Sequence, residues 1–230
     1  MAHFVPVALP GGEKANQQPW RNLLAHLFEV YGADAIGVIE ERFGALLCLD
    51  QLATKPVDLL LRMITQGVNT PLTSSAGRLF DAIAAALGLC FDEIRFEGQA
   101  AMALQGLAES APQEQGEYAI TPGQMIQWSG LWNGILADLG AGVSHARIAA
   151  RAHNTIAAAI CVTVQNLRET HGELPVVLSG GVFQNRLLLE RTTSRLTKGG
   201  CEILSPKVLP ANDGGVSLGQ ATIVAALSLG

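Results

Sequence analysis

Apolar residues recur at helical spacing through the first half of the chain. Trp20, Leu23, Leu24, Leu27, Phe28 and Tyr31 form one stripe, entered through Pro19 and stopped by Gly32, so the spacing predicts a helix there. Asp34–Phe43 and Val57–Gln66 carry the same signature, the latter entered through Pro56. The turn-rich run Thr70-Pro71-Leu72-Thr73-Ser74-Ser75 offers hydroxyl caps to a helix that turns Leu79, Phe80, Ile83 and Leu87 inward and stops at Gly88. Asp81 lies beside that stripe, the usual place of a solvated flank residue. Glu97-Gly98-Gln99 opens a further helix through Ala101, Leu104 and Leu107. A glycine at such a start is either an ordinary cap or a point of close ligand approach. Phe4–Leu9, interrupted by Pro6, reads as an extended entry segment because proline donates nothing to a ladder.

The second half changes character. Pro112–Gly116 is polar and rich in turn formers, which places a boundary there. Tyr118-Ala-Ile reads as a brief strand, Ser129–Leu139 as a helix, and Ser144 as the cap of a long helix with Ile148, Ala152, Ile156, Ile160, Thr163 and Leu167 on one stripe. Val176, Val177 and Leu178 then form a short apolar run between Pro175 and Gly180, the pattern of a buried parallel strand. Ser179-Gly180-Gly181 turns the chain into a helix over Gln184–Leu196. Cys201–Leu204 reads as the next strand and Asn212–Leu227 as the closing helix. Strand, helix, strand, helix implies a parallel sheet in the last third. A glycine turn between such a strand and helix sets backbone N–H groups and a helix N-terminus beside the strand's carboxyl end, where open α/β sheets bind anions and nucleotides. A second glycine turn, carrying Asn212 and Asp213, strengthens the reading of a site over that of a plain tight connection.

Composition narrows the function classes. The chain has 230 residues, 49% hydrophobic and 15% charged, enough apolar sequence for a proper core and too much for a disordered protein. So low a charged fraction points to apolar surface covered by another domain or subunit, and self-association into a homodimer is the physical expectation for such a surface. The net charge of −5 and the absence of a basic run disfavour nucleic acid as main partner. Four cysteines, Cys48, Cys90, Cys161 and Cys201, sit far apart in apolar settings without zinc spacing and read as buried thiols. His145 and His153 are eight residues apart on one helix, whereas helical metal pairs want three or four; these and His26 read as structural or surface residues. With no signal-peptide pattern and no apolar run long enough to cross a bilayer, the expectation is a soluble, cytoplasmic protein.

Five motifs occur in order: Pro10-Gly-Gly-Glu-Lys-Ala15, Asn69-Thr-Pro-Leu-Thr-Ser-Ser-Ala-Gly-Arg-Leu-Phe-Asp81, Glu97-Gly-Gln-Ala-Ala-Met102, Ser179-Gly-Gly-Val-Phe-Gln-Asn-Arg186 and Asn212-Asp-Gly-Gly-Val-Ser-Leu-Gly-Gln220. Together they resemble the C-terminal part of the HypF carbamoyltransferase family of [NiFe]-hydrogenase maturation, over nearly the whole chain. The resemblance implies an α/β, actin-like ATPase fold of the TsaD/HypF type, here partial. Residues 1–115 would form its mainly helical part and residues 116–230 its nucleotide-binding α/β lobe with a parallel βαβα order; the family's N-terminal lobe and upstream domains are expected to be absent. It also implies ATP as cofactor, and carbamoyl transfer from carbamoyl phosphate through a carbamoyl-adenylate to the C-terminal cysteine of a HypE-like acceptor. Ser179, Gly180, Gly181 and Asn185 would hold the nucleotide, Asp81 and Gly98 its ribose and base side, and Asp213 would ligate a divalent metal.

The sequence departs from the family pattern in places. It has no HxxxH to supply the family's metal-binding histidines, and Ala103 and Gln105 stand where acidic residues are expected. The chain alone is therefore expected to be incomplete for catalysis. A non-catalytic nucleotide-binding or docking module, and a TsaD-like tRNA threonylcarbamoyl transfer, remain as alternative readings.

Overall fold

Two strands of two residues each, β1 (His3–Phe4) and β2 (Val7–Ala8), open the chain in the computed structural model, which describes residues 2–205 and 210–229. Pro6 lies between them and cuts the ladder short. A turn through Gly11 and Gly12 leads into α1 (Glu13–Gln17), and α2 (Pro19–Tyr31) follows with proline in its first turn, where the missing N–H costs nothing. Helices α3 (Ala35–Phe43), α4 (Leu47–Ala53) and α5 (Val57–Gln66) come next. Strand β3 (Leu72–Thr73) returns antiparallel to β2, and α6 (Ala76–Ala86) then lies along α2. After α7 (Gln99–Glu109), packed on α6, β4 (Met125–Ile126) pairs parallel with β1. Helices α8 (Ser129–Gly140) and α9 (His145–His171) complete the helix-rich part. The remainder is β5 (Val176–Val177), α10 (Arg186–Lys198), β6 (Ile203–Leu204) and α11 (Val216–Leu229), with β5 and β6 parallel. This is the helix-rich first half and parallel βαβα ending expected of the fold class.

The chain divides into two compact units, Met1–Ala159 and Ile160–Gly230. The division falls within α9. The Pro112–Gly116 segment lies inside the first unit, where the Asn154 amide donates to the carbonyls of Glu114 (3.1 Å) and Gly116 (3.0 Å) and Arg147 Nε lies 2.7 Å from the Glu114 carboxylate.

The core of the first unit is the α2–α6 contact. Leu23, Leu24 and Leu27 of α2 are fully buried, as are Ala82, Ile83, Ala84 and Ala85 of α6. Alanine is the best helix former, and its small side chain lets two helices approach closely. The eight consecutive positions from Leu79 to Ala86 are all buried, and Asp81 among them. Asp81 is therefore not the solvated flank residue that its place beside the stripe suggests. Other local readings change as well. Tyr118–Ile120 forms no strand: Tyr118 N donates to Thr155 Oγ1 (2.8 Å) and its hydroxyl to Asp138 (2.7 Å), so side chains rather than a ladder hold this segment. Of the cysteines, Cys48 is buried, its thiol pushed up to about 11 by desolvation, while Cys90, Cys161 and Cys201 are half-buried.

Helix α11 is the reverse of α6. It has no charged residue, and Val216, Leu218, Ile223, Val224 and Leu227 are all exposed. Thr222 and Ser228 fold their hydroxyls back on Leu218 and Val224 carbonyls at 2.8 Å. No helix among the described residues is long and apolar enough to cross a membrane.

Two outcomes follow from this packing. Leu23→Ala, which empties a fully buried site, is expected to cost about 2–5 kcal/mol in urea unfolding, whereas Val224→Ser on the exposed face changes stability by under about 0.5 kcal/mol. His26, buried on α2 against Trp132 at 5.6 Å, is pushed down to about 3 by desolvation. The unfolded chain protonates it near its ordinary 6.5 while the folded chain keeps it neutral, so stability is full above pH 6.5 and declines from there toward pH 3. By pH 5 the loss is about 2 kcal/mol, and His26→Phe removes it, read as the difference between urea midpoints at pH 7 and pH 5.

Candidate functional site

In the second unit the chain leaves β5 through buried Leu178, whose N–H donates to Leu204 O at 2.9 Å. Ser179 follows, exposed, and then Gly180 at φ +103° and ψ 154°, a backbone region in which a Cβ is strained. Gly180 N donates to Ala211 O at 2.7 Å. That bond ties the first glycine turn to the second, and a Cβ placed on Gly181 would stand 3.9 Å from Asn212 Cβ. Residues Gly181–Gln184 make one 3-10 turn, and Asn185 closes it by donating its N–H to Val182 O at 3.1 Å. The Asn185 side chain is largely buried, and its Oδ1 accepts from Leu188 N at 2.9 Å, capping α10. In the second turn Asn212 Oδ1 accepts from Gly214 N at 3.0 Å. Asp213 is the exposed first residue of the 3-10 turn Asp213–Gly215 that leads into α11. Two glycine turns, each opening a helix and tied by a backbone bond, offer N–H groups and helix N-termini to an anion.

Asp81 and Gly98 belong to the first unit. Asp81 is about 1% exposed, and its Oδ2 stands 3.0 Å from Arg78 Nη2 without receiving a hydrogen bond. Desolvation raises its carboxyl to about 6 and the Arg78 charge holds it from rising further. Arg78 Nη1 in turn donates to Asn16 O (3.3 Å) and Oδ1 (3.1 Å). Leu9 N donates to Pro71 O and Gly11 N to Asn69 O, so the first two motifs lie side by side. Gly98 caps α7 at φ +80°; a Cβ there would meet nothing within 4 Å, so the requirement for glycine lies in the backbone angle alone. Sequence reasoning passed over Arg78 and Asn16, and named Asn212 without its bond to Gly214 N. The signal for Arg78 was present, since it stands three residues before Asp81 on the same helix face.

Among the described residues no three His, Cys, Asp or Glu side chains are grouped as a metal would require, and Asp213 brings a single exposed carboxylate.

The HypF family model for the carbamoyltransferase Kae1-like domain, second subdomain, matches residues 1–220. The chain belongs to the HypF carbamoyltransferase family. It is 37% identical over 98% of its length to carbamoyltransferase HypF of Rhodobacter capsulatus, and 34% identical over 98% to a HypF homolog of Cupriavidus necator. It spans 28% of the first relative and 57% of the second. Its fold matches the crystal structure of full-length HypF in the phosphate- and nucleotide-bound form with a TM-score of 0.84, at 36% identity, covering the whole of this chain and 29% of that one. HypF of T. kodakarensis matches with a TM-score of 0.83 at 29% identity, over 97% of this chain and 29% of that one. The α/β Kae1-like fold and the membership in a carbamoyltransferase family are thereby established.

The cap role of Asn185 separates from any ligand role by substitution. Asn185→Ala is expected to cost about 1 kcal/mol in urea unfolding, and Asn185→Asp, which keeps an acceptor oxygen for Leu188 N, only a few tenths.

Proposed function

We propose that the tied glycine turns of the second unit hold the phosphate end of ATP, as the nucleotide-binding part of a HypF-type carbamoyl transfer. The observation that carries this reading is the 2.7 Å bond from Gly180 N to Ala211 O, which fixes two helix-opening turns beside each other at the end of β5. Phosphate oxygens need donors and positive potential, and backbone N–H groups at helix N-termini supply both without the desolvation cost of a buried cation. The second unit supplies Ser179, Gly180, Gly181 and Asn185 to this phosphate site. Separately, for the first unit, we propose from the family resemblance that Asp81, a buried carboxylate suited to accept from hydroxyl donors, and Gly98 contact the ribose and base side of a nucleotide.

In the full reaction, carbamoyl phosphate, ATP and water give a carbamoyl-adenylate, pyrophosphate and phosphate, and the C-terminal cysteine of a HypE-like acceptor takes the carbamoyl group. The thiolate attacks the carbamoyl carbon, the bond from that carbon to the phosphate oxygen breaks, and AMP leaves with the electron pair. Donors at the glycine turns stabilise the charge that develops on the departing phosphate, which is where fixed N–H groups act most strongly. Transfer to tRNA is disfavoured by the net charge of −5.

Calorimetric titration compares ATP with adenosine on the wild-type chain and on Gly180→Val. ATP is expected to bind at least about tenfold more tightly than adenosine, a gap of about 1.4 kcal/mol, and Gly180→Val to close that gap. Equal affinity for ATP and adenosine in the folded wild type overturns the phosphate assignment.

A further inference from the structure

Asp81 is an acid set among alanines and large apolar side chains, and such a group is costly to keep charged. Its helix supplies an answer one turn earlier. Arg78, with 15% of its side chain exposed, brings Nη2 to 3.0 Å from Asp81 Oδ2. The contact is an ion pair without an aligned hydrogen bond, so Oδ2 is buried and accepts nothing from the protein. Arg78 does not reach this position unaided. Its Nη1 is held by both the carbonyl and the side-chain oxygen of Asn16, the residue that follows the Pro10–Ala15 motif. The turn before α1 runs through Gly11 at φ +84° and Gly12 at φ +59°, and Gly11 N is bonded to Asn69 O. The first motif therefore reaches the Asp81 carboxylate through two side chains, Asn16 and Arg78. Nothing in the phosphate-binding account uses it.

We propose that Arg78 is the positioning residue of Asp81 in ligand binding: anchored by Asn16, it orients the buried carboxylate so that the unbonded Oδ2 accepts from a hydroxyl of the bound nucleoside. This rests on the assignment of Asp81 to the nucleotide. The ligand group that fits is a neutral hydroxyl donor, such as one of a ribose diol, because a carboxylate already facing a guanidinium gains from a donor and repels a phosphate. The charged side chain acting on Asp81 is Arg78, and the half-buried Cys90 thiol, on the loop after α6, feels the Asp81 charge in return. Arg78 also lowers the pH at which Asp81 takes up a proton; without that influence burial would hold the carboxyl higher still, and a protonated carboxyl is a poorer acceptor.

The test uses the full chain in four forms: wild type, Arg78→Gln, Arg78→Lys and Asn16→Ala. Asp81 is titrated through its carboxyl carbon by NMR without nucleotide, and ATP affinity is measured from pH 5.5 to pH 8.5. In the wild type the Asp81 midpoint is expected near 6. Arg78→Gln raises it by about one unit or more, Asn16→Ala raises it less, and Arg78→Lys restores most of the difference. For a rise of about one unit, ATP affinity of Arg78→Gln falls about twofold at pH 7 and about eightfold at pH 5.5, and recovers above the shifted Asp81 midpoint. An unmoved Asp81 midpoint in folded Arg78→Gln overturns the inference, and so does a loss of affinity that is the same at every pH, which is the signature of a merely structural role. If Arg78→Gln fails to fold, Asn16→Ala, changed at an exposed position, carries the same comparison. Absence of ATP binding by the wild type at every pH overturns the nucleotide assignment and this inference with it, and is recognised separately because the Asp81 titration needs no nucleotide.

Discussion

The packing of α6 along α2 is the constraint on which the first unit depends. It requires small residues on α6, and the Ala82–Ala86 stretch provides them with one isoleucine between. The same close approach leaves Asp81 without water. A carboxylate in that position must be paired or protonated, and the geometry around it, Arg78 held by Asn16, follows from that need. One steric fact, the alanine face, thus sets both the stability of the unit and the chemistry of its buried acid.

The second unit is organised differently. Its two strands are two residues long, and its closing helix α11 buries no side chain among the described residues. What order it has at the glycine turns comes from backbone bonds: Gly180 to Ala211, Asn212 to Gly214, Asn185 to Leu188. Polar groups of the loop thereby satisfy one another while the helix N-termini remain the natural place for an anion. The chain spans 28% of the Rhodobacter capsulatus relative and 57% of the Cupriavidus necator one, so the account of the whole reaction extends beyond the residues of this chain.

Much of the fold was legible where punctuation was strong. Pro19 and Gly32 bracket α2, and Val57–Gln66 was bounded by Pro56 and Gly67, so their limits coincide with the helices found. The strand, turn and helix order from Val176 onward was equally readable, with α10 beginning at Arg186 because Asn185 is spent as its cap. Short elements were not legible. Two-residue ladders such as Leu72–Thr73 and Met125–Ile126 carry too little alternation to show, and Tyr118–Ile120 has strand-like residues held instead by Thr155 and Asp138. The burial of Asp81 was missed for a further reason: one acid beside an apolar stripe looks the same whether its helix lies on the surface or is enclosed on all sides. Burial is a property of the tertiary contact, and only the Arg78 spacing hinted at it.

The central claim is that the two tied glycine turns form one nucleotide-binding element. Amide hydrogen exchange on the intact chain, with and without saturating ATP, tests it most directly. The account predicts that ATP slows exchange at Gly180–Phe183 and at Asp213–Gly215 together, since the Gly180–Ala211 bond makes them one unit. Slowing at only one turn, or none at either turn while ATP is bound elsewhere, would contradict it.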